Sequence, residues 1–194
     1  GKLRTNPEIE QQRYADNLAS GIWKDAKKPQ AWINVEHKEA KCSQTKSSKN
    51  EGEARTCVDI AAKVVVKSNG QFKADDIGIL TMYKAQVTAI RQLVQAHPAL
   101  KTVAVNSIEE TPYQGTSIDT VDRYQGMERK IIILSIVRSK DTPSLFIRNK
   151  GRVNVAFTRC THGNIIVGNC DVAARFGANQ GDHMWEHMVR VFQE

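Results

Sequence analysis

Short runs of β-branched residues alternate with helix-patterned stretches along most of the chain, and this alternation limits the fold more than any other feature. Ala31–Val35, Ile77–Thr81, Thr102–Val105, Lys130–Val137 and Asn164–Val167 have the length and side-chain bulk of strands. Between them, Val58, Ala61, Ala62 and Val65 fall on one helical face after a start near Glu53. Val87, Ile90, Leu93 and Val94 do the same and stop ahead of Pro98, which disfavours helix in the residue before it. Val153, Ala156, Phe157 and Cys160 repeat the spacing, and Met184, Trp185, Met188, Val189 and Phe192 form a closing apolar stripe. Strands separated by helices pair in parallel, so the fold class is α/β: a mostly parallel sheet with helices on both faces. Trp23, Trp32 and Trp185 occupy apolar positions and read as core.

With 194 residues the chain suits one domain with an appendage. Residues 31–194 read as the domain, and residues 1–30 as a helical lead-in from a preceding domain or linker. The start Gly1-Lys2-Leu3-Arg4 reads as a piece of a longer polypeptide. Hydrophobic residues make up 40% and charged residues 25%, a globular balance. No apolar run approaches the roughly 20 residues that span a bilayer, so no membrane partner is expected. Cys42, Cys57, Cys160 and Cys170 form no Cys-x-x-Cys pair, and the histidines miss ligand spacing. No metal site is expected, and a reducing, intracellular location (cytoplasm or nucleus) fits. The formal charge of +7 favours a polyanion such as nucleic acid. Lys41–Glu51 is a polar, low-complexity stretch, expected to be mobile.

Ligands of open α/β sheets gather at the carboxyl ends of strands, so the segments after Ile77–Leu80, Thr116–Val121, Ile131–Ile136 and Asn164–Val167 hold the candidates. Three polar clusters stand there: Thr81–Gln86, Ser117–Glu128 and Gly151–Cys160. Arg152 and Arg159 are seven apart, about two helical turns, and share a face opposite Val153, Ala156 and Phe157. Guanidinium groups suit bidentate phosphate contacts, while a solvated arginine stripe is the plainer alternative. Neither a G-x-x-x-x-G-K-[ST] loop nor a G-x-G-x-x-G turn accompanies them, which implies a further domain.

In that order the three clusters resemble motifs IV, V and VI of superfamily 1 helicases, closest to the nonsense-mediated-decay group. The matching residues are Gly78-Ile79-Leu80-Thr81-Met82-Tyr83-Lys84-Ala85-Gln86, then Thr120-Val121-Asp122-Arg123-Tyr124-Gln125-Gly126-Met127-Glu128 running to Val137-Arg138. The third match is Arg152-Val153-Asn154-Val155-Ala156-Phe157-Thr158-Arg159. The resemblance implies the second of two RecA-like motor domains, a partner to a first RecA-like domain that would carry the phosphate loop and the Mg ligands. It implies ATP with Mg as cofactor and single-stranded RNA or DNA as partner. Glu128, with Gly126 and Gln125, would meet the nucleotide ribose. Arg159 would be the arginine finger, with Arg152 a neighbouring arginine of the same motif. Thr81, Tyr83 and Thr120 would touch the nucleic-acid backbone, Tyr83 and Tyr124 would be the stacking candidates, and Asp122 and Gln125 would couple the two sites. Met82, Lys130, Gly151 and Cys160-Thr161 depart from the family pattern. Alone, such a fragment is expected to be inactive. The competing expectation is a non-catalytic nucleic-acid-binding or scaffold domain derived from a helicase.

Overall fold

The computed structural model describes residue 23, residues 29–97, residue 100, and residues 115–140, 144–178 and 181–193. The chain enters through β1 (Gln30–Asn34) and a small hairpin of β2 (Ala40–Lys41) and β3 (Ser48–Lys49) before helix α1 (Glu51–Lys67). A 3-10 turn (Ala74–Asp76) leads into β4 (Ile77–Thr81) and α2 (Lys84–Ala96). Strand β5 (Ser117–Thr120), a second 3-10 turn (Val121–Tyr124) and β6 (Arg129–Ser135) follow. The chain ends with α3 (Leu145–Arg148), α4 (Lys150–Thr158), β7 (Cys160–Gly168), α5 (Cys170–Ala174) and α6 (Met184–Gln193).

Five strands form one sheet in the order β1-β7-β6-β4-β5, and every pairing in it is parallel. The expected α/β, RecA-like architecture is therefore the observed one. The apolar run of β6 serves both faces. Ile131 and Ile133 pack with Ile79, Val58, Ala61 and Ile90 beneath α1 and α2, whereas Ile132 and Leu134 pack with Leu80, Val153 and Trp185 on the other side. Period-two alternation in a strand produces this split. Trp23, Trp32 and Trp185 are all buried.

Asparagines start three of the helices. Asn50, Asn149 and Asn169 accept hydrogen bonds from the backbone N–H groups of Glu53, Arg152 and Val172, satisfying first-turn donors that the helix leaves open. Thr102–Val105 and the lead-in expected over residues 1–30, apart from Trp23, Pro29 and Gln30, lie outside the described residues. Lys41–Glu51, expected to be mobile, instead forms the β2–β3 hairpin and the start of α1. Cys42 N–H donates to Ser47 O and Lys46 N–H to Cys42 O, both at 2.9 Å, with Lys46 in the left-handed region at φ 58°. Polar composition disguised this turn, because its order comes from backbone pairing rather than from apolar burial.

Candidate functional site

The three clusters occupy two rims of the sheet. Tyr83 follows β4 and Thr120 is the last residue of β5, so both stand at the carboxyl rim. Glu128 and Arg159 immediately precede β6 and β7, so they stand at the amino rim. The expectation that all candidates gather at carboxyl ends is corrected here. The segment from Val121 to Glu128 carries the chain back along the sheet, and α4 does the same from Lys150 to Thr158.

At the carboxyl rim, a groove of about 460 Å³ is lined by Tyr83, Lys84, Thr120, Asp122, Arg138, Ser144 and Phe146, and by the β2–β3 hairpin. The Tyr83 hydroxyl bonds Ser144 Oγ, and its ring meets Phe146 edge-to-face at 6.1 Å. Burial pushes the Tyr83 phenol above its ordinary pKa, with the Ser144 hydrogen bond opposing. Phe146 is 43% exposed and Leu145 82%, an unusual display of large apolar side chains. Sequence reading missed Phe146, which sits in no quoted motif; its only signal is an apolar residue on a four-residue helix beside a motif. Thr81 lies beneath this surface, fully buried, with an Oγ1 that has no partner among the described residues. Tyr124 is corrected as a stacking candidate: it is fully buried, and its hydroxyl bonds Ser117 Oγ.

A buried polar network props this rim from below. Glu53 Oε2 accepts from Ser135 Oγ and from the Val137 backbone N–H, each at 2.7 Å. Gln86 donates to Ser135 Oγ and to the Asn50 carbonyl, both at 3.0 Å, and accepts from Asn50 N–H at 2.8 Å. Motif residues Gln86, Ser135 and Val137 are thus held to one another through the first turn of α1. Val137 has φ 67°, an uncommon conformation for a β-branched residue, and Arg138 N–H donates to Ile136 O at 2.7 Å across it. Burial lifts the Glu53 carboxyl to about 8, with the Ser135 and Val137 hydrogen bonds opposing and the Glu39 charge adding to the rise.

Arg152 stands in the first turn of α4 and Arg159 at its C-cap, and the two meet different partners. Arg152 Nε donates to Asp122 Oδ1 at 2.6 Å, and its guanidinium lies 4.6 Å from the Phe146 ring centroid. Asp122 and Arg152 therefore tie the segment after β5 to the first turn of α4. Arg159 caps the other end of that helix. Its Nη2 donates to Thr158 Oγ1 at 3.0 Å, and its Nε is buried without a partner among the described residues. The Arg159 carbonyl accepts Arg129 N–H at 3.0 Å, which brings the end of α4 beside Glu128 in the backbone.

Glu128 is exposed and lines a depression of about 240 Å³ with Asp75, Asp76, Arg129, Lys130 and Thr161. Its carboxylate makes no hydrogen bond or ion pair among the described residues. Gln125 and Gly126 form the exposed turn before it, and Gly126 takes φ 87°, a value that suits glycine. Among the described residues no group of three His, Cys, Asp or Glu could hold a metal ion, and no helix is long and apolar enough to cross a membrane.

Comparison with known proteins places these features in a family. The AAA domain family matches residues 1–171 of the chain. The Drosophila melanogaster regulator of nonsense transcripts 1 homolog is 29% identical over 210 residues, covering 100% of this chain and 16% of that protein. Regulator of nonsense transcripts 1 of Dictyostelium discoideum is 32% identical, covering 92% and 12%. ATP-dependent helicase upf1 of Schizosaccharomyces pombe is 33% identical, covering 72% and 13%. The chain thus spans less than a fifth of the length of each of these relatives. A solved C-terminal domain of a "possible DNA helicase" from Lactobacillus plantarum aligns over 87% of this chain and 88% of that one, with a TM-score of 0.49 and 13% identity. The family match and the helicase motifs laid out on a five-stranded parallel sheet give one conclusion: the chain belongs to the AAA domain family, as a second RecA-like domain of the superfamily 1 helicases in the nonsense-mediated-decay group.

Proposed function

We propose that this domain is the C-terminal half of an ATP-dependent motor that moves along single-stranded RNA or DNA inside the cell. The observation that carries the reading is the guanidinium of Arg159. It ends α4 at the amino rim with a buried Nε unpaired among the described residues, next in the backbone to a Glu128 whose carboxylate is equally unengaged. A guanidinium held internally only through one Nη, by Thr158, and a carboxylate without a partner among the described residues fit a nucleoside triphosphate, the first for phosphate oxygens and the second for ribose hydroxyls. When bound, ATP with its Mg ion supplies the labile phosphoanhydride.

The chain's own residues divide the remaining work. Arg159 neutralises charge on the terminal phosphate, and Glu128 orients the ribose from the turn that Gln125 and Gly126 form. Arg152 keeps terminal amino groups free of other hydrogen bonds among the described residues and adds positive charge along the same helix. The Mg ligands and the phosphate loop belong to a first RecA-like domain, the partner this reading requires. At the carboxyl rim, Tyr83 and Thr120 contact the strand, with Thr81 supporting them from below. The Asp122–Arg152 pair ties the segment after β5 to the start of α4, and in this reading that helix, which runs on to Arg159, couples the two rims.

Two measurements on the isolated chain test this reading. It should not hydrolyse ATP above the level of a Glu128→Ala/Arg159→Ala double variant, because the phosphate cradle is elsewhere. It should bind a labelled oligonucleotide with affinity that falls steeply with salt. Turnover by the fragment, or affinity that is flat with salt, contradicts it.

A further inference from the structure

The β2–β3 hairpin belongs to none of the helicase motifs, yet it stands against the groove where Tyr83 and Thr120 lie. Its Lys41, Thr45, Lys46, Ser47 and Ser48 line that groove together with Tyr83, Thr120 and Phe146. Three attachments fix its place. Before the hairpin, Glu39 pairs with Arg138 at 2.8 Å and accepts Ser139 N–H at 3.3 Å. Within it, Ser47 Oγ accepts Ala85 N–H at 3.2 Å, and after it Asn50 N–H donates to Gln86 Oε1 at 2.8 Å. Each attachment reaches a segment that follows β4 or β6, so the hairpin is mounted on the loops that carry the motifs.

Charge in the groove is one-sided. Lys41, Lys46, Lys84 and Arg138 line it against the single carboxylate of Asp122. Glu39 compensates Arg138, and Arg152 compensates Asp122. Lys41, Lys46 and Lys84 are exposed and make no ion pair among the described residues. Lys41 instead donates to Ser48 Oγ at 2.8 Å, across the two strands of the hairpin. Lys46 occupies the left-handed turn position at φ 58°, where glycine is the easy residue and lysine is strained. A charged side chain is therefore held at the hairpin turn against local backbone preference.

We propose that the β2–β3 hairpin is a second phosphate-binding wall of the strand track, with Lys41 and Lys46 contacting the sugar–phosphate backbone of a bound single strand. The proposal rests on the reading of the carboxyl-rim groove as that track. The contacts are independent of base sequence, because ammonium groups meet phosphates rather than base edges. Each one adds to the salt dependence of binding, since it releases a fraction of a condensed counterion.

The test is a set of titrations of the chain with a fluorescein-labelled oligouridylate at several salt concentrations. Lys46→Gly removes the charge while easing the backbone, so any loss cannot come from a damaged turn. It should lower the slope of log K against log salt by about 0.7, and Lys41→Met/Lys46→Gly should lower it by about 1.4. Lys63→Ala/Lys67→Ala, the same change in net charge at the far end of α1, should leave the slope as it is. Equal effects of the two pairs, or an unchanged slope for Lys46→Gly, overturn the hairpin proposal. Tyr83→Ala/Phe146→Ala separates the two readings. If it weakens binding while the lysine variants do not, the groove stands and the hairpin wall falls. If the unaltered chain binds no single strand, both fall.

Discussion

The Glu53 carboxyl group accepts the backbone amide of Val137 at 2.7 Å, so an acid in the first turn of α1 holds the residue of β6's exit that has φ 67°. Left-handed backbone at a β-branched residue costs on the order of 1–3 kcal/mol and persists where its surroundings over-determine it. Here Glu53 and Asn50 do so from one side: Asn50 Nδ2 reaches Val137 O at 3.4 Å and Glu53 Oε1 at 3.1 Å. The result turns Arg138 toward Glu39 and the hairpin.

Glu53 makes stability depend on pH. Its pKa rises from 4.5 to about 8 on folding, so the folded chain binds the proton more tightly than the unfolded chain does. The stability that protonated Glu53 contributes is complete below the unfolded value of 4.5 and is lost as pH climbs through about 8. Between them the slope approaches about 1.4 kcal/mol per pH unit. Glu53→Gln cannot ionise, so urea midpoints of the two proteins should converge or cross in favour of glutamine from pH 5 to 8. A gap that stays constant with pH assigns no titration to Glu53.

Gly78 makes room for Tyr124. A Cβ there would lie 2.5 Å from the Tyr124 hydroxyl and 2.7 Å from Ile132 Cδ1. Gly78→Ala should destabilise the chain by about 1–3 kcal/mol through overpacking. Adding Tyr124→Phe should recover part of that loss by removing the nearer atom, and the urea midpoints of the two variants measure it. A Gly78→Ala variant as stable as the unaltered chain contradicts the packing described.

Phe146 is the accessible member of an aromatic pair with Tyr83 in the groove. Base–aromatic stacking is worth about 1–3 kcal/mol per base. Phe146→Ala should therefore weaken oligonucleotide binding at least about fivefold, while leaving the salt slope intact. Because its ring is partly exposed, the thermal midpoint should barely move. Unchanged affinity would make Phe146 a packing residue for Arg152 only.

How much of this was legible in the sequence follows from where each signal comes from. β4, β6 and β7 were visible because their β-branched runs are buried, β1 through the short apolar run around the buried Trp32, and α1, α2, α4 and α6 because their apolar residues recur on one face. Thr116–Val121 reads weakly as a strand, since Ser117, Asp119 and Thr120 are polar. They are buried through hydrogen bonds, such as Arg91 to Asp119 at 3.3 Å, that no composition displays. The hairpin and the Glu53 network escaped for the same reason. Of the motif residues, Tyr83 and Thr120 stand at the expected carboxyl rim, whereas Glu128 and Arg159 stand at the other. Spacing does not reveal that the chain returns across the sheet before Glu128 and Arg159.

Arg159 carries the central claim, and hydrolysis of ATP by the whole polypeptide bearing this domain tests it most directly. A guanidinium aimed at the transferring phosphoryl group helps most in the transition state, and such arginines are worth roughly 10³–10⁵ in turnover. Arg159→Ala should lower kcat by about that order with nucleotide affinity and thermal midpoint little changed. Arg159→Lys should rescue poorly, for want of the planar fork. Arg152→Ala, whose guanidinium is already engaged by Asp122, should lose less. Near-normal hydrolysis by Arg159→Ala, or loss of folding, would contradict the account and make Arg159 a structural residue.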